Sequence, residues 1–477
     1  MPIEISGTTV IDNSRNVTNV GSITASSFIG SGANLSGVQA GSSTFTASGA
    51  ISNGDAVLVN SNGTVSAPTV TTSDPPNLSS AVRITSDTRF VRGVDIGDGK
   101  VVFAYAAAEN THDGEAIVGT VSGNSISFGN PTTFETQSVY ERLSITYDSS
   151  NEKVVIAYKD SDNSNRGTAI VGTVSDTSIS FGSPVIFETG NTQYISATYD
   201  SSNNKVVIAY KDSGDSNKGK AIVGTVSGTS ISFGSAVEFN TGGNTDWITS
   251  TYDSTNNKVV IAYQDGGNSF YGTARVGTVS GTSISFGSEV VFESASAGEN
   301  SAVYDSTNGK VVIAYHLEGT SNGKAIVGTV SGTSISFGTA AQYESSTPDH
   351  ITTAYDSANG KVIISYMDDG DSDKGTAVVA TVSGTSISFG TVFVYNNAIT
   401  PDQSVTYVSA AKKSVLAYRD SNNEYEGYAK ILDIQNTTIS SDNFIGIAAE
   451  AISNAATGSI TMVTGINASQ SGLTAGQ

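Results

Sequence analysis

The chain has no cysteine, one tryptophan and three histidines among its 477 residues, and only 14% of the residues are charged. Without cysteine, neither disulfides nor thiolate metal sites can form. No apolar run approaches the ~20 residues that a membrane-spanning helix needs. The formal net charge of −21 argues against a nucleic-acid partner, because the phosphates would be repelled. We therefore expect neither membrane insertion nor nucleic-acid binding.

A six-residue motif, KVVIAY or a close variant, recurs along most of the sequence. A second motif, SISFG, accompanies most copies, and both have a period of about 52 residues. Self-similarity at such a period is typical of propellers and repeat arrays. We number the units as repeats 1 to 7 by the lysine that begins each copy of the first motif: Lys100, Lys153, Lys205, Lys258, Lys310, Lys361 and Lys413.

Repeat 3 illustrates the strands that the sequence of each unit predicts. Runs rich in Val, Ile, Thr, Tyr and Phe indicate four strands, A to D, separated by turns of Gly, Asn, Asp and Ser. Strand B is apolar on both faces, so its sheet must be covered on both sides. Four-stranded blades packed face to face around an axis meet this demand, and we predict a β-propeller. The four predicted strands are Ile195–Tyr199, Lys205–Tyr210, Ala221–Val226 and Ser230–Phe239.

The two ends of the repeat region predict the number of blades. After the motif at Lys413 a strand C follows, but no SISFG strand comes after it. Upstream of repeat 1, Ser79–Phe90 aligns with Gly234–Trp247, which contains the end of strand D in repeat 3. We therefore predict an all-β fold in which a seven-bladed β-propeller spans residues 76–439, and a strand from the N-terminal side completes the seventh blade.

The segments that flank the repeats differ from them in composition. Residues 1–49 are rich in Ser, Thr and Gly and cannot bury a core alone, so they are either disordered or ordered by association with copies of themselves. Their strand-like alternation favours the second alternative, an N-terminal β-rich oligomeric stalk or attachment segment. Residues 50–75 and 440–477 carry apolar runs that do not match the repeat. We predict that they pair as two halves of a small β domain, with the propeller inserted between them.

These flanking segments carry a resemblance. The string GTTVIDNSRNVTNVGSITASSFIGSGANLSGV, from Gly7 to Val38, resembles the N-terminal segments of phage tail-fibre and other virion structural proteins, particularly those of marine phages. GDAVLVNSNGTVS and FIGIAAEAISNAATGSITMVTGINASQSGLTAGQ are together similar to a domain that recurs in those proteins, and the repeat is similar to repeats of their receptor-facing fibres. The resemblance implies an extracellular homotrimeric fibre or appendage on a virion, with other virion proteins as partners.

The sequence offers few residue patterns that could support catalysis. His112, His316 and His350 lie in predicted loops of different repeats, without a nucleophile–base pattern around them. The chain lacks the Ser-x-Asp-x-Gly-x-Thr-Trp box of propeller sialidases. We therefore expect no enzyme, and glycan hydrolysis is the last of the alternatives. One turn position carries aspartate in five repeats, which is typical of turn-capping residues: Asp148, Asp200, Asp253, Asp305 and Asp356.

One acidic loop in repeat 6 leaves two alternatives open. In MDDGDSDKG, the residues Asp369, Asp371 and Asp373 stand at alternate positions, as at the start of a calcium loop. However, Lys374 occupies the place of an expected glycine, and Ala380 occupies that of the bidentate glutamate. These mismatches favour a solvated acidic hairpin over a calcium site, so we expect no cofactor.

The variable positions of the repeat indicate a binding face. The A–B and C–D turns are nearly constant among the repeats, whereas the B–C and D–A connections vary. The residues eleven positions before each motif lysine are predicted to converge near the axis, with Tyr271 of a B–C loop farther out. Aromatic, arginine and carboxylate side chains bind sugar rings and hydroxyls, so we predict that the propeller binds a host surface glycan or envelope receptor. The converging residues are Arg89, Arg142, Tyr194, Trp247, Glu299, His350 and Asp402.

The alternative interpretation of these positions is structural. Loops vary more than frameworks in any protein, so variation alone also fits a propeller that is only a spacer or decoration of a virion or extracellular filament. We favour binding because drift alone would not place large aromatic side chains at exposed positions.

Overall fold

The computed structural model describes residues 3–5, 8–11, 42–47, 50–51, 56–59, 65–66, 70–107, 112–136, 139, 143–437, 444–448, 453 and 456–462. This part of the chain consists of strands β1 to β40 and two short 3₁₀ turns, Gly266–Asn268 and Asp369–Asp371, which confirms the all-β prediction. None of its helical turns is long or apolar enough to cross a bilayer. The chain divides into two compact units: unit 1 is Met1–Thr69 with Thr437–Gln477, and unit 2 is Val70–Asn436.

Unit 1 contains a hairpin and a five-stranded sheet. The hairpin pairs β1 (Ile3–Ile5) with β2 (Thr8–Ile11). The sheet has the order β3-β40-β39-β4-β5 and therefore joins strands from both ends of the chain. Its first strand comes from the segment predicted as a stalk. The five strands are β3 Ser42–Thr46, β4 Ala56–Val59, β5 Val65–Ser66, β39 Phe444–Ala448 and β40 Thr457–Met462.

Unit 2 repeats one antiparallel pattern, in which strand A pairs with B, B with C, and C with a broken outer strand D. The A strands are β8 Thr88–Gly97, β13 Ser144–Asp148, β17 Val185–Asp200, β22 Thr245–Asp253, β26 Val290–Asp305, β31 Pro348–Asp356 and β36 Gln403–Val408. The B strands are β9 Lys100–Ala107, β14 Lys153–Asp160, β18 Lys205–Asp212, β23 Lys258–Asp265, β27 Lys310–Leu317, β32 Lys361–Asp368 and β37 Lys413–Asp420.

The outer half of each repeat is equally regular. The C strands are β10 Asp113–Ser122, β15 Arg166–Ser175, β19 Lys218–Ser227, β24 Tyr271–Ser280, β28 Asn322–Ser331, β33 Lys374–Ser383 and β38 Glu426–Thr437. In repeats 2 and 4 the second part of strand D is continuous with the next strand A, so β17 and β26 each serve two sheets. The separate D strands are β11 Ser125–Phe128, β12 Thr132–Glu135, β16 Ser178–Phe181, β20 Ser230–Phe233, β21 Val237–Asn240, β25 Ser283–Phe286, β29 Ser334–Phe337, β30 Ala341–Glu344, β34 Ser386–Phe389 and β35 Phe393–Ile399.

The last repeat takes its outer strands from the start of unit 2. Strands β6 (Val70–Leu78) and β7 (Val82–Thr85) both pair with β38. The register of β7 places Val82 opposite Ala429, which is the pairing that the alignment of Ser79–Phe90 predicts. Because β6 also belongs to this sheet, unit 2 begins at Val70 rather than at residue 76.

The middle strands are buried on both faces, as their sequence predicts. Every residue from Val206 to Tyr210 has no exposed surface. Ile208 packs into a cluster with Val155 of repeat 2, and Val207 packs on the other face with Ile261 of repeat 4. Each core cluster therefore lies between two successive repeats. One further cluster joins repeat 1 to repeat 7 through Val101, Phe103, Val415 and Ala417.

The glycine of the SISFG motif lies where one repeat meets the next. At Gly287 an added Cβ would lie 1.8 Å from the carbonyl oxygen of Thr333, in the C–D turn of the following repeat. Gly182 and Gly234 face the equivalent carbonyls of Thr229 and Thr282 at 1.9 Å. No side chain fits at these positions, because the obstacle is the backbone of the neighbouring sheet.

We therefore expect Gly287→Ala to push repeats 4 and 5 apart. Overpacking of this kind typically costs about 1–3 kcal/mol of unfolding free energy. The measurement is denaturant unfolding beside Ser288→Ala, since Ser288 is the exposed next residue. Equal stability of the two variants would mean that the sheets do not approach each other at this glycine.

A second link between repeats joins a strand-B tyrosine to the preceding strand D. The hydroxyl of Tyr210 donates to Glu188 Oε2 at 2.9 Å, and that of Tyr366 donates to Glu344 Oε2 at 2.7 Å. Burial, and then the neighbouring carboxylate, raise the pKa of each phenol far above its ordinary value of about 10. The same pair recurs as Tyr158–Glu135 and Tyr315–Glu293.

These tyrosines predict a loss of stability in alkali. The unfolded chain releases the phenolic protons above pH ~10, whereas the folded chain keeps them, so each site lowers the unfolding free energy by up to about 1.4 kcal/mol per pH unit. We expect denaturant unfolding to show a stability plateau below pH ~10 and a steep decline above it. Tyr210→Phe should have a shallower decline, and an unchanged slope would contradict the assignment.

Candidate functional site

The inner end of strand A carries a β-bulge that presents one side chain from a fixed backbone position. In repeat 3, Gln193 pairs with Lys211 and Ser196 with Ala209, so two residues, Tyr194 and Ile195, stand opposite Tyr210. The first bulge residue has a positive φ, which is 49° at Tyr194. The same conformation recurs at Phe90 (55°), Trp247 (50°), Glu299 (50°) and His350 (55°).

Two of the residues predicted to converge do not lie at the bulge position, because strands A and B pair differently in their repeats. The A–B turn of repeat 1 is shorter, so Phe90 occupies the bulge position and Arg89 pairs with Ala106 one step before it. Repeat 7 has no bulge: Gln403 pairs directly with Tyr418, and Asp402 lies at the preceding position. Counting back from the motif lysine cannot detect either change. Arg142, the candidate of repeat 2, lies outside the described residues.

Residues of the A strands line a cavity of about 250 Å³. Tyr194 and Trp247 are the two predicted converging residues in its wall, and their rings meet edge to face with centroids 5.2 Å apart. Beside them, Lys211 Nζ lies 5.6 Å from the Tyr194 ring centroid and 2.6 Å from Asp246 Oδ1. The bulges thus bring two aromatic rings to one side of the cavity, and the Lys211–Asp246 ion pair lies beside the Tyr194 ring.

Glycine makes the position of Trp247 possible. A Cβ at Gly298 would lie 3.1 Å from the indole Nε1 and 2.7 Å from Glu318 Oε1. The equivalent register positions in repeats 3 and 4 hold Gln193 and Asp246, so the room beside this indole is particular to repeat 5. A single glycine that breaks the repeat pattern next to strand A is a signal that sequence reading could have used.

Serine and threonine hydroxyls that the sequence analysis missed line much of the remaining wall, together with aliphatic side chains and Arg92. Each accepts a hydrogen bond from a backbone N–H of an adjacent strand A. Ser144 Oγ accepts from Ala197 N at 2.8 Å, and Thr249 Oγ1 accepts from Ala302 N at 3.0 Å. The hydroxyls therefore satisfy the inner edges of the sheets. Ser196, Thr352 and Ser404 do the same for the N–H groups of Ser250, Val405 and Gly93.

The remaining candidates lie apart from this wall. Glu299 is 7% exposed and Asp402 is 6% exposed, the latter with its Oδ2 3.9 Å from Arg419 Nη1. His350 has the bulge conformation, and its backbone carbonyl accepts from Gln403 Nε2 at 3.1 Å. Tyr271 begins strand C, opposite Asp265. Among the candidates that the structure describes, Tyr194 and Trp247 are the two that it brings together in the cavity wall.

The recurring turn aspartates are capping residues, as predicted. Asp200 Oδ1 accepts from the backbone N–H groups of Ser202 and Asn203 at 3.1 and 3.0 Å, and its Oδ2 accepts from Asn203 Nδ2 at 2.8 Å. Asp148, Asp253, Asp305 and Asp356 make the same bonds. These buried carboxylates are used fully by the turn and are not available for general acid–base chemistry.

The acidic loop of repeat 6 uses its carboxylates internally. Asp368 Oδ1 caps the turn by accepting from Gly370 N at 3.0 Å, and Asp371 Oδ1 lies 2.9 Å from Lys374 Nζ. A hydrogen bond with Asp369 raises the pKa of Asp373. Throughout the described ranges, no three His, Asp or Glu side chains are grouped as a metal site would require.

No protein-family model and no curated protein matches this sequence. Similar solved structures include the periplasmic gluconolactonase PpgL of Pseudomonas aeruginosa, at 9% identity and a TM-score of 0.46, with 74% of this chain and 97% of that chain covered. The SapL1 lectin in complex with α-methyl fucoside is 11% identical, with 66% and 98% covered and a TM-score of 0.42. The β-propeller domain of the Trilobed protease of Pyrococcus furiosus is 9% identical, with 74% and 100% covered and a TM-score of 0.42. These likenesses concern the arrangement of strands alone.

Proposed function

We propose that this chain is a non-enzymatic fibre or appendage protein of a virion, and that its repeat region binds a glycan or another envelope receptor on the host cell surface. The virion assignment rests on the resemblance of Gly7–Val38 and the flanking segments to virion structural proteins. The binding assignment rests on the Tyr194–Trp247 pair in the wall of the cavity. Aromatic rings beside polar groups are the usual surface on which sugar rings stack.

We further infer that the seven repeats close into a seven-bladed ring. Repeats 1 and 7 share a core cluster, and Arg92 Nη1 donates to the Gln403 carbonyl at 3.0 Å. Ser409 N donates to Asp95 Oδ2 at 3.0 Å between the same repeats. Strands β6 and β7, at the start of unit 2, pair with β38, at its end. A force applied at either end of unit 2 therefore acts on a strand that is hydrogen-bonded within a sheet, which suits an external fibre.

A structural spacer is the second candidate, and one observation favours it. The hydroxyls of the cavity wall are already bonded to backbone N–H groups, so most of the wall serves the framework. A spacer needs nothing more than this framework. The aromatic pair distinguishes the two candidates. Tyr194 and Trp247 occupy a bulge position that carries Glu299 and His350 in other repeats, so the backbone there does not require an aromatic side chain.

The binding proposal predicts that Trp247→Ala and Tyr194→Ala each weaken glycan binding by about two- to ten-fold, the loss expected for an aromatic stacking contact of about 0.5–1.5 kcal/mol. The measurement is binding of labelled protein to an array of cell-surface glycans. Tyr425→Ala is the matched control, because Tyr425 is aromatic, has a positive φ of 64° and stacks on Arg419 away from the cavity wall. Equal binding by all three variants would leave only the spacer function.

The fibre proposal predicts that residues 1–40 hold three chains together. We expect the full-length protein to have three times the 48.8 kDa chain mass by light scattering. A chain that begins at residue 41 keeps strand β3 and its sheet, and should have the mass of a monomer. Monomeric mass for both proteins, or trimeric mass for both, would refute the role of this segment.

A further inference from the structure

One lysine is buried where two neighbouring repeats meet. Lys211, the residue after the strand-B motif of repeat 3, is 7% exposed, and no other lysine that the structure describes is buried. A lysine is seldom buried unless a partner takes up its charge. Lys211 Nζ lies 2.6 Å from Asp246 Oδ1 and 3.5 Å from Asn244 Oδ1, and both partners lie at the start of strand A of repeat 4. The amine therefore adjoins a carboxylate and a carboxamide of the next repeat.

The same position links neighbouring repeats elsewhere by an ordinary hydrogen bond. In repeat 4 it holds Gln264, whose Nε2 donates to Ser296 Oγ at 3.1 Å. In repeat 7 it holds Arg419, whose Nη2 donates to Asp87 Oδ1 at 2.8 Å. Both acceptors stand three positions before the bulge residue, as Asn244 does. The framework therefore needs a hydrogen bond here, but it does not need an amine, a carboxamide and a carboxylate together.

These three groups are the ones that an isopeptide bond between side chains requires. An amide carbon lies about 1.2 Å from its oxygen, so Asn244 Cγ is at most about 4.7 Å from Lys211 Nζ. A small rotation of the lysine side chain brings this separation to the ~3–3.5 Å of a near-attack geometry. Asp246 is within hydrogen-bond distance of the same nitrogen and can take its proton.

We propose that Lys211 and Asn244 form a covalent isopeptide bond, with Asp246 as the proton carrier. The Lys211 ammonium gives a proton to Asp246, and the neutral amine attacks Asn244 Cγ. A bond forms between Nζ and Cγ, and the bond between Cγ and Nδ2 breaks. The two protons that Nζ loses pass through Asp246 to Nδ2, which leaves as an ammonium ion. No oxidant or other reactant takes part, and Asp246 ends in its starting state.

The surroundings of the three side chains favour this reaction. The Lys211 side chain is 9% exposed and that of Asp246 is 15% exposed, and the centroid of the Tyr194 ring lies 5.6 Å from Nζ. Because little water reaches the amine, hydrolysis of the Asn244 amide competes less with attack by Nζ. The strand pairs on both sides hold the reacting groups together, since Lys211 pairs with Gln193 and Asp246 with Gln264.

Repeat 2 provides an internal control. Its three equivalent positions hold Lys159, Asn191 and Gln193, so the lysine and the amide are present but the carboxylate is absent. Asn191 Oδ1 has no hydrogen-bond partner among the described residues, so Lys159 does not donate to it. We therefore expect no bond between Lys159 and Asn191.

The bond ties strand B of repeat 3 to strand A of repeat 4, which carries Trp247 in the cavity wall. Repeats 3 and 4 then stay joined at this point even when the noncovalent contacts between them break. The inference does not depend on what the cavity binds.

The test is the mass of the full-length protein in denaturant. We expect it to be lighter than its sequence mass by one ammonia, and trypsin to release the peptide Val206–Lys218 joined to Ala221–Lys258. The joined peptide locates the bond, because an asparagine before a glycine can also lose ammonia by closing a ring on its own. A full sequence mass, or a loss of ammonia located elsewhere, would show that Lys211 and Asp246 form an ion pair only.

Three variants and one control test the roles of the residues. Lys211→Arg keeps the charge but removes the primary amine, and Asp246→Asn keeps the shape but removes the carboxylate, so both should have the full mass of their own sequences. Asp246→Glu restores a carboxylate and should restore the joined peptide. Lys159→Arg is the matched control and should keep it. A joined peptide in Asp246→Asn, or its absence in Asp246→Glu, would overturn the role of Asp246 as the proton carrier.

Discussion

The two-sided burial of the middle strands is the constraint on which unit 2 depends. Residues Val206–Tyr210 expose no surface, and their side chains divide between clusters shared with the preceding and the following repeat. A sheet of this kind is stable only between two neighbours, so a linear stack would leave its first and last sheets half covered. The cluster that contains Val101 of repeat 1 and Val415 of repeat 7 supports the closed ring that we propose.

The backbone N–H groups at the inner edges of the A strands are a second constraint. At the inner edges of five A strands a backbone N–H group donates to a serine or threonine hydroxyl of the adjacent repeat. This arrangement makes the cavity wall polar for structural reasons. Hydroxyls in the wall are therefore weak evidence of a ligand, and the more informative side chains are Tyr194 and Trp247, at a bulge position that repeats 5 and 6 fill with Glu299 and His350.

The bulge of strand A has the same backbone conformation in several repeats but carries a different side chain in each. A positive φ at a residue other than glycine costs roughly 1–2 kcal/mol, yet it recurs from repeat to repeat with Phe, Tyr, Trp, Glu and His at the same position. Since the backbone is held by the flanking strand pairs, the side chain can change without altering the fold. The rigid framework can thus carry different groups at one point in each repeat.

The sequence by itself determined the repeat, the all-β class, the two-sided burial and the pairing of the N-terminal strand with the last repeat, because these follow from local patterns that the chain copies about every 52 residues. Only the tertiary structure decided which residues meet at the cavity. In repeat 1 a shorter turn puts Phe90, rather than Arg89, at the bulge position. In repeat 7 strand A has no bulge, so Asp402 does not have the bulge conformation. The serine and threonine hydroxyls of the wall were equally hidden, because the N–H groups that donate to them belong to neighbouring strands that only the fold brings together.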